Sequence, residues 1–193
     1  MIKSISYSQD EILNWIQNLH CPNGFDCDVT YSKGAFYKTI EKPRLKFDLD
    51  PQYSCVTKAC STNLPLKESS INSLVFDPPF LTYIKPGKSI MGKRFSGYWA
   101  YSELENHYRK TIREANRVLK NKGKMIIKCQ DIIHNHKIHP THISVFNWAN
   151  GFKLKDLFVL LAKHRIPVKG VKKQQHARVF HSYFMVFEKQ NSV

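Results

Sequence analysis

Residues 77–80, Asp77-Pro78-Pro79-Phe80, follow an apolar run, Leu74-Val75-Phe76, that suits a buried strand. Proline has no N–H for a sheet ladder, so Pro78 and Pro79 end that strand. A carboxylate, a stiffened carbonyl and an aromatic ring are therefore presented together where a buried strand stops. In open α/β sheets, ligands bind outside the carboxyl ends of the strands, near the point where strand order reverses. Other acids fall at such places: Asp28 in the run 25–31, and Asp48 and Asp50 at the end of the run 44–50. This spacing predicts a cluster of carboxylates along one edge of a sheet.

The elements that must position these groups follow from pattern. Ser8, with Glu11 three residues on, forms a capping box, and Ile12, Leu13, Ile16 and Leu19 fall on one face of the helix it opens. Runs 25–31, 44–50, 55–60 and 73–77 have the length of strands. "SELENHYRKTIREANRVL" (102–119) predicts a second helix, capped by Ser102 with Glu105 completing the box. "KNKG" ends it, with Gly123 suited to a left-handed cap. Three more strands are expected at 124–129, 153–161 and 181–189, with a short helix at about 141–149. Strands alternating with helices imply a mainly parallel α/β sheet. The last two strands read as an antiparallel hairpin around a long basic loop. The whole is expected to be one domain, 1–193, with an N-terminal helix at 8–20 and a core from 25 to 189.

Composition narrows the partner. Thirty Lys and Arg against fifteen Asp and Glu give a formal net charge of +15, which favours nucleic acid, because each neutralised phosphate releases counterions. No run of about 20 apolar residues exists to form a membrane-spanning helix. The first residues lack the apolar core of a signal peptide, so the expected location is the cytoplasm, or the nucleus in a eukaryote. Five cysteines without a C-x-x-C pair read as reduced thiols. Four histidines in "HNHKIHPTH" (134–142) match no catalytic metal spacing and have no carboxylate among them, so no metal is expected.

On these residues the sequence resembles the class I S-adenosylmethionine-dependent methyltransferases, and within them the amino-methyltransferases that modify N6 of adenine or N4 of cytosine. "DPPF" at 77–80 matches their [D/N/S]-P-P-[Y/F/W] motif, and "REANRVLKNKGKMIIK" (113–128) is similar to their helix, turn and fifth strand. "STNLPLKESSINSLVFDPPF" resembles their run from the third strand's end into the fourth. The resemblance implies a Rossmann-like seven-stranded sheet, mainly parallel with an antiparallel C-terminal hairpin, and S-adenosylmethionine as cofactor. It implies catalytic roles for Asp77, Pro78, Pro79 and Phe80. Asp77 and the Pro78 carbonyl would accept from the exocyclic amine, while Phe80 stacks on a base lifted from its helix. For the cofactor it implies Asp28, Thr30, Ser32, Gly34, Asp48, Cys60 and Ser61. Ser32 stands where a glycine is usual, and Cys60 or Ser61 where an acid often reads the adenine amine. Fourteen positions separate Gly34 from Asp48, with Pro43 among them, so only a short helix is expected between.

Two basic loops flank this edge. The first, 83–99, interleaves Lys85, Lys88, Lys93 and Arg94 with rings that include Tyr98 and Trp99, the composition of a nucleic-acid loop. The second, 163–181, carries Lys172, Lys173 and Arg178. Missing is a segment large enough for a dedicated target-recognition domain, which points to a short or structured target, or to a protein partner that supplies specificity. The sequence therefore predicts transfer of a methyl group to N6 of adenine in nucleic acid, DNA before RNA. The alternative is a catalytically silent, methyltransferase-like nucleic-acid-binding subunit. A further reading, methylation of a protein side-chain amide, is disfavoured by the charge and by Asp at the motif's first position.

Overall fold

Ser8 opens the first helix, as its position predicts. A computed structural model describes residues 1–80, 82, 98–164 and 174–191. In α1 (Gln9–His20) the Ser8 side chain accepts from the Glu11 N–H, and the reciprocal half of the box runs through Ser6. The Ser6 hydroxyl accepts from the Ser8 N–H and donates to the Glu11 carboxylate. Ile12, Leu13 and Ile16 are buried, whereas Leu19 is half exposed and lies off that face.

The described residues contain ten strands, numbered in chain order. They are β1 (Ile5–Ser6), β2 (Cys27–Asp28), β3 (Leu45–Asp48), β4 (Thr57–Lys58), β5 (Ile71–Phe76), β6 (Leu119–Cys129), β7 (Ile132–His134), β8 (Lys137–His139), β9 (Phe152–Leu161) and β10 (His181–Lys189). Two further helices among the described residues are α2 (Tyr101–Val118) and α3 (Thr141–Trp148). Eight strands form one sheet in the order β1-β9-β10-β6-β5-β2-β3-β4, and β7 and β8 make a separate hairpin. Every neighbouring pair in the large sheet is parallel except those of β10, which runs antiparallel to both β6 and β9. The sheet thus has one strand more than the seven expected. The addition is β1, whose two residues are too short for any pattern and which is defined by pairing with Val159 and Leu160.

Side chains alternate across the strands and feed two cores. One face buries Leu74, Phe76, Met125, Ile127, Met185 and Phe187 beneath α2 and α3. The other buries Val75, Ile126, Phe158, Phe184 and Val186 beneath α1 and the segment 31–40. Each fully buried side chain of this size contributes roughly 1.5–3 kcal/mol.

Local expectations fail where tertiary contacts decide. α2 begins at Tyr101, not Ser102; its N-cap, Ala100, has no side-chain cap bond, and the Tyr101 ring stacks on His139 at 3.9 Å. At its other end the left-handed residue is Lys122 (φ 64), not Gly123. Gly123 serves close approach instead, since a Cβ there would lie 2.7 Å from the Lys120 carbonyl oxygen and 3.2 Å from that of Asn72. The segment between β2 and β3 contains no helix at all. The histidine-rich run folds as the β7–β8 hairpin, with Asn135 and His136 both at positive φ (49 and 57), as a type I′ turn requires. All five cysteines are free, and no described helix is long and apolar enough to cross a membrane.

Candidate active site at the carboxyl edge of the sheet

The ends of β2, β3 and β5 lie side by side, so Asp28, Asp48 and Asp77 reach one edge. Register fixes the order: Asp28 pairs with Val75, and Phe76 with Ile127, which leaves Asp77 level with Lys128 of β6. The Asp77 N–H donates to Thr30 Oγ1 at 2.8 Å. Thr30 in turn donates to Asp28 Oδ1 through its N–H at 2.7 Å and its hydroxyl at 3.3 Å. The Tyr37 hydroxyl donates to Asp28 Oδ2 at 2.7 Å. Two predicted acids from opposite proposed subsites are thus joined through one threonine.

Their electrostatics differ. Asp28 is 1% exposed, and burial pushes its carboxyl up to about 7, with the Asp77 charge adding to the effect and the Thr30 and Tyr37 donors opposing it. Burial and the Asp28 charge push the Tyr37 phenol upward in turn. Burial also raises Asp77, against the opposing pull of Lys128, whose Nζ stands 3.5 Å from Oδ2. The Asp77 side chain keeps 23% of its surface in solvent, so a ligand can reach it. Pro78 is buried, Pro79 is half-buried, and half-buried Phe80 packs against the core beneath α2.

The turn after β2 consumes its own polar groups. Ser32 takes a left-handed backbone (φ 50), a strained state for a non-glycine residue, and its N–H donates to Asp48 Oδ2 at 2.7 Å. Asp48 Oδ1 accepts from the Asp50 N–H at 2.8 Å. Gly34 (φ 70) lies under the Tyr31 ring, and a Cβ there would fall 2.4 Å from the Tyr31 hydroxyl oxygen. The glycine is required because the chain's own tyrosine approaches it.

Ser61 is buried and hydrogen-bonds both His107 Nε2 (2.7 Å) and Thr111 Oγ1 (2.9 Å). His107 Nδ1 faces the Tyr98 hydroxyl in a short hydrogen bond. One imidazole therefore joins Ser61 and Tyr98, expected respectively at cofactor and nucleic acid. Burial pushes it down to about 4, so it is neutral at pH 7 and offers one donor and one acceptor. Cys60 contacts the Thr62 hydroxyl at 3.1 Å. Trp99 is 47% exposed, and Arg178 lies over the Phe180 ring at 5.8 Å. Lys85, Lys88, Lys93, Arg94, Lys172 and Lys173 lie outside the described residues.

Sequence reasoning missed Lys128, Tyr37, Gln9 and His107. Only Lys128 left a signal, as a cation inside the apolar run of a buried strand. The four histidines of 134–142 do not converge on one point, although the His134 and His139 rings meet edge to face at 6.3 Å. His134 is buried, His136 meets Gln175 (2.9 Å), His139 stacks on Tyr101, and His142 meets Asp131 (2.7 Å). A cavity of about 340 Å³ is lined by Thr62, Lys110, Arg113, Glu114 and Arg117. It contains none of the predicted site residues, and Glu114 and Arg117 are paired with each other within it.

No protein-family model and no curated protein matches the chain. Solved structures do. A candidate sarcosine dimethylglycine methyltransferase from Galdieria sulphuraria aligns over 94% of this chain and 85% of its own, at TM-score 0.58 and 14% identity. A chain from the complex between the Haloferax volcanii Trm112 methyltransferase activator and a candidate methyltransferase aligns over 86% of this chain and 82% of its own, at TM-score 0.51 and 13% identity. A candidate DNA modification methylase from Thermus thermophilus aligns over 70% of this chain and 53% of its own, at TM-score 0.47 and 16% identity. This chain spans about half the length of that last protein. What is shared at these identities is the fold: the chain has the Rossmann-like fold of methyltransferases.

Proposed function

We propose that the protein is an S-adenosylmethionine-dependent methyltransferase that acts on N6 of adenine in nucleic acid, DNA before RNA. The observation that carries this reading is Asp77, fixed through its N–H to Thr30 at the end of β5, with its carboxylate partly open to solvent on the edge that also holds Asp28 and Asp48.

The residues present fit the cofactor. Asp48 stands at the end of β3, where an acid holds ribose hydroxyls, and each of its oxygens has one lone pair left beyond the N–H it accepts. Asp28, Thr30, Ser32 and Gly34 form the turn beside it, with Cys60 and Ser61 on the next loop. When bound, S-adenosylmethionine supplies a methyl group already activated on a sulfonium. The chain's task is then to prepare the amine, a poor nucleophile because its lone pair is delocalised into the base. Asp77 and the Pro78 carbonyl accept its two N–H groups and favour the tetrahedral nitrogen. Pro79 keeps that carbonyl rigid, and Phe80 offers a ring to the extruded base. The basic residues of both flanking loops, with Trp99, hold the phosphate backbone and neighbouring bases.

A second reading is a binding subunit without transfer activity. It draws on the turn after β2, where Ser32 replaces a glycine and the Asp48 carboxylate already accepts two backbone N–H groups. In either case a protein partner that supplies target specificity fits the reading. Labelled S-adenosylmethionine offered with mixed DNA and RNA decides between the two, with nucleosides identified by mass spectrometry. N6-methyladenine that disappears in Asp77→Ala supports the enzyme; nucleic-acid binding without any label supports the silent subunit.

A further inference from the structure

We infer that Lys128 is a positioning residue of the Asp77 site, an ammonium fixed by α1 and two aromatic rings that holds Asp77 as an ionised acceptor. Lys128 lies on the β6 face that also carries Ile126, and its side chain is 13% exposed. An ammonium is rarely buried without partners. Here Nζ donates to Gln9 Oε1 at 2.8 Å, and Gln9 Nε2 donates onward to the Phe36 carbonyl at 3.0 Å. The Phe36 and Phe184 rings lie 5.2 and 5.5 Å from the same Nζ, within cation–π range. The remaining neighbour is Asp77 Oδ2, at 3.5 Å.

Burial of Asp77 at this edge calls for such a cation. Asp77 faces Asp28 and Tyr37 as well as Lys128, and its charge pushes the buried Asp28 carboxyl and the Tyr37 phenol toward their neutral forms. Burial favours a protonated Asp77, and among the described residues Lys128 is the ion-pair partner that opposes it. Protonation would put an O–H where the amine presents an N–H, which removes an acceptor and sets donor against donor. The inference rests on the reading above for what Asp77 accepts from, but not for its charge.

The test is a carbon-13 titration of the aspartate carboxyls in the full chain, with the Asp77 signal assigned by its loss in Asp77→Asn. Lys128→Met is expected to raise the Asp77 midpoint by about one pH unit or more, and Lys128→Arg to restore most of it. Gln9→Ala, a milder change at the helix start, should raise it by a smaller amount and serves where Lys128→Met fails to fold. A midpoint that stays at the wild-type value in both Lys128→Met and Gln9→Ala overturns the inference. In the methylation assay, Lys128→Met should lower kcat most on the acid side of the profile, by up to about tenfold per pH unit of midpoint shift, with the nucleic-acid KM little changed. The acid limb of its rate profile should also move to higher pH. A wild-type protein that methylates no adenine sinks the proposed function, while the titration still decides Lys128.

Discussion

From Phe25 to Ser70 the chain makes three parallel strands of two, four and two residues, with no helix between them. From Ile71 onward the strands of the same sheet run to six, eleven, ten and nine residues, and α2 and α3 cover them. The first half is held largely by acids that accept from backbone N–H groups. Asp26 takes Asn72, Asp28 takes Thr30, and Asp48 takes Ser32 and Asp50. The second half is held by interlocked apolar side chains beneath α2. The first half also buries Phe25, Cys27, Val29, Tyr37 and Phe47. Short strands without a helix between them and many loop hydrogen bonds nonetheless mark the part of a protein that opens at lower free energy. A site built across both halves joins a pliable side to a rigid one, and Asp77 lies on the seam.

The comparison can be broken most forcefully at that seam. Asp77→Ala should lower methyl transfer by about a thousandfold or more while leaving the melting temperature close to wild type, since it removes an acceptor aimed at substrate. A large loss of stability would instead make Asp77 a structural tie like the other acids.

Within the pliable half, Asp28→Asn tests whether a buried acid burdens the fold. Its carboxyl sits at about 7 in the folded protein against 3.8 as the ordinary value. The folded state therefore holds the extra proton between those limits, and stability falls as pH rises from about 4 to 7. Asp28→Asn should gain little at pH 4, gain progressively to pH 7, and level off above it. The ceiling is on the order of 4 kcal/mol, since each pH unit is worth about 1.4 kcal/mol. Urea unfolding across that range reads it directly, and a flat difference would refute the account.

The rigid half has its own polar tie. Lys189 is buried and donates to the Asn116 and Leu119 carbonyls, which end α2. Lys189→Met strands two buried carbonyls and should lower stability by about 2 kcal/mol in the same assay. The smallest effect belongs to Ser32→Gly. It removes the strain of a left-handed serine and should stabilise by roughly 0.5–1 kcal/mol. On the proposed function it should also tighten cofactor binding, measured by calorimetry.

The two halves were not equally legible in the sequence. β10 spans 181–189 as its pattern predicts, and α3 and β9 fall within a residue of expectation, because long periodic runs bury one face wherever they pack. The pliable half shows only its motif residues. A two-residue strand such as β2 or β1 has no period to read, and its place is set by neighbours far along the chain. The same holds for the site. Asp77 was visible because two prolines mark it, whereas Ser61 and His107 stand 46 positions apart, and no local rule could pair them. Ser102 shows the limit from the other side. It has the chemistry of a cap, but the Tyr101–His139 stack starts the helix a residue earlier.

The pairing of β1 with β9 also has a consequence for synthesis. Ile5 lies beside Val159, about 150 positions later. At ribosomal rates of roughly 5–20 residues per second, the N-terminal strand waits on the order of ten seconds or more before its partner exists. Until β5 and β6 are made the apolar stripe of Ile12, Leu13 and Ile16 lacks Val75 and Ile126 to cover, and Phe158, Phe184 and Val186 of the same core come later still. Gln9 likewise reaches Lys128 only when a residue 119 positions later has been made. The segment 5–16 is thus among the last to be locked in place, and a chain interrupted before β9 carries an amphipathic helix whose apolar face is only partly covered.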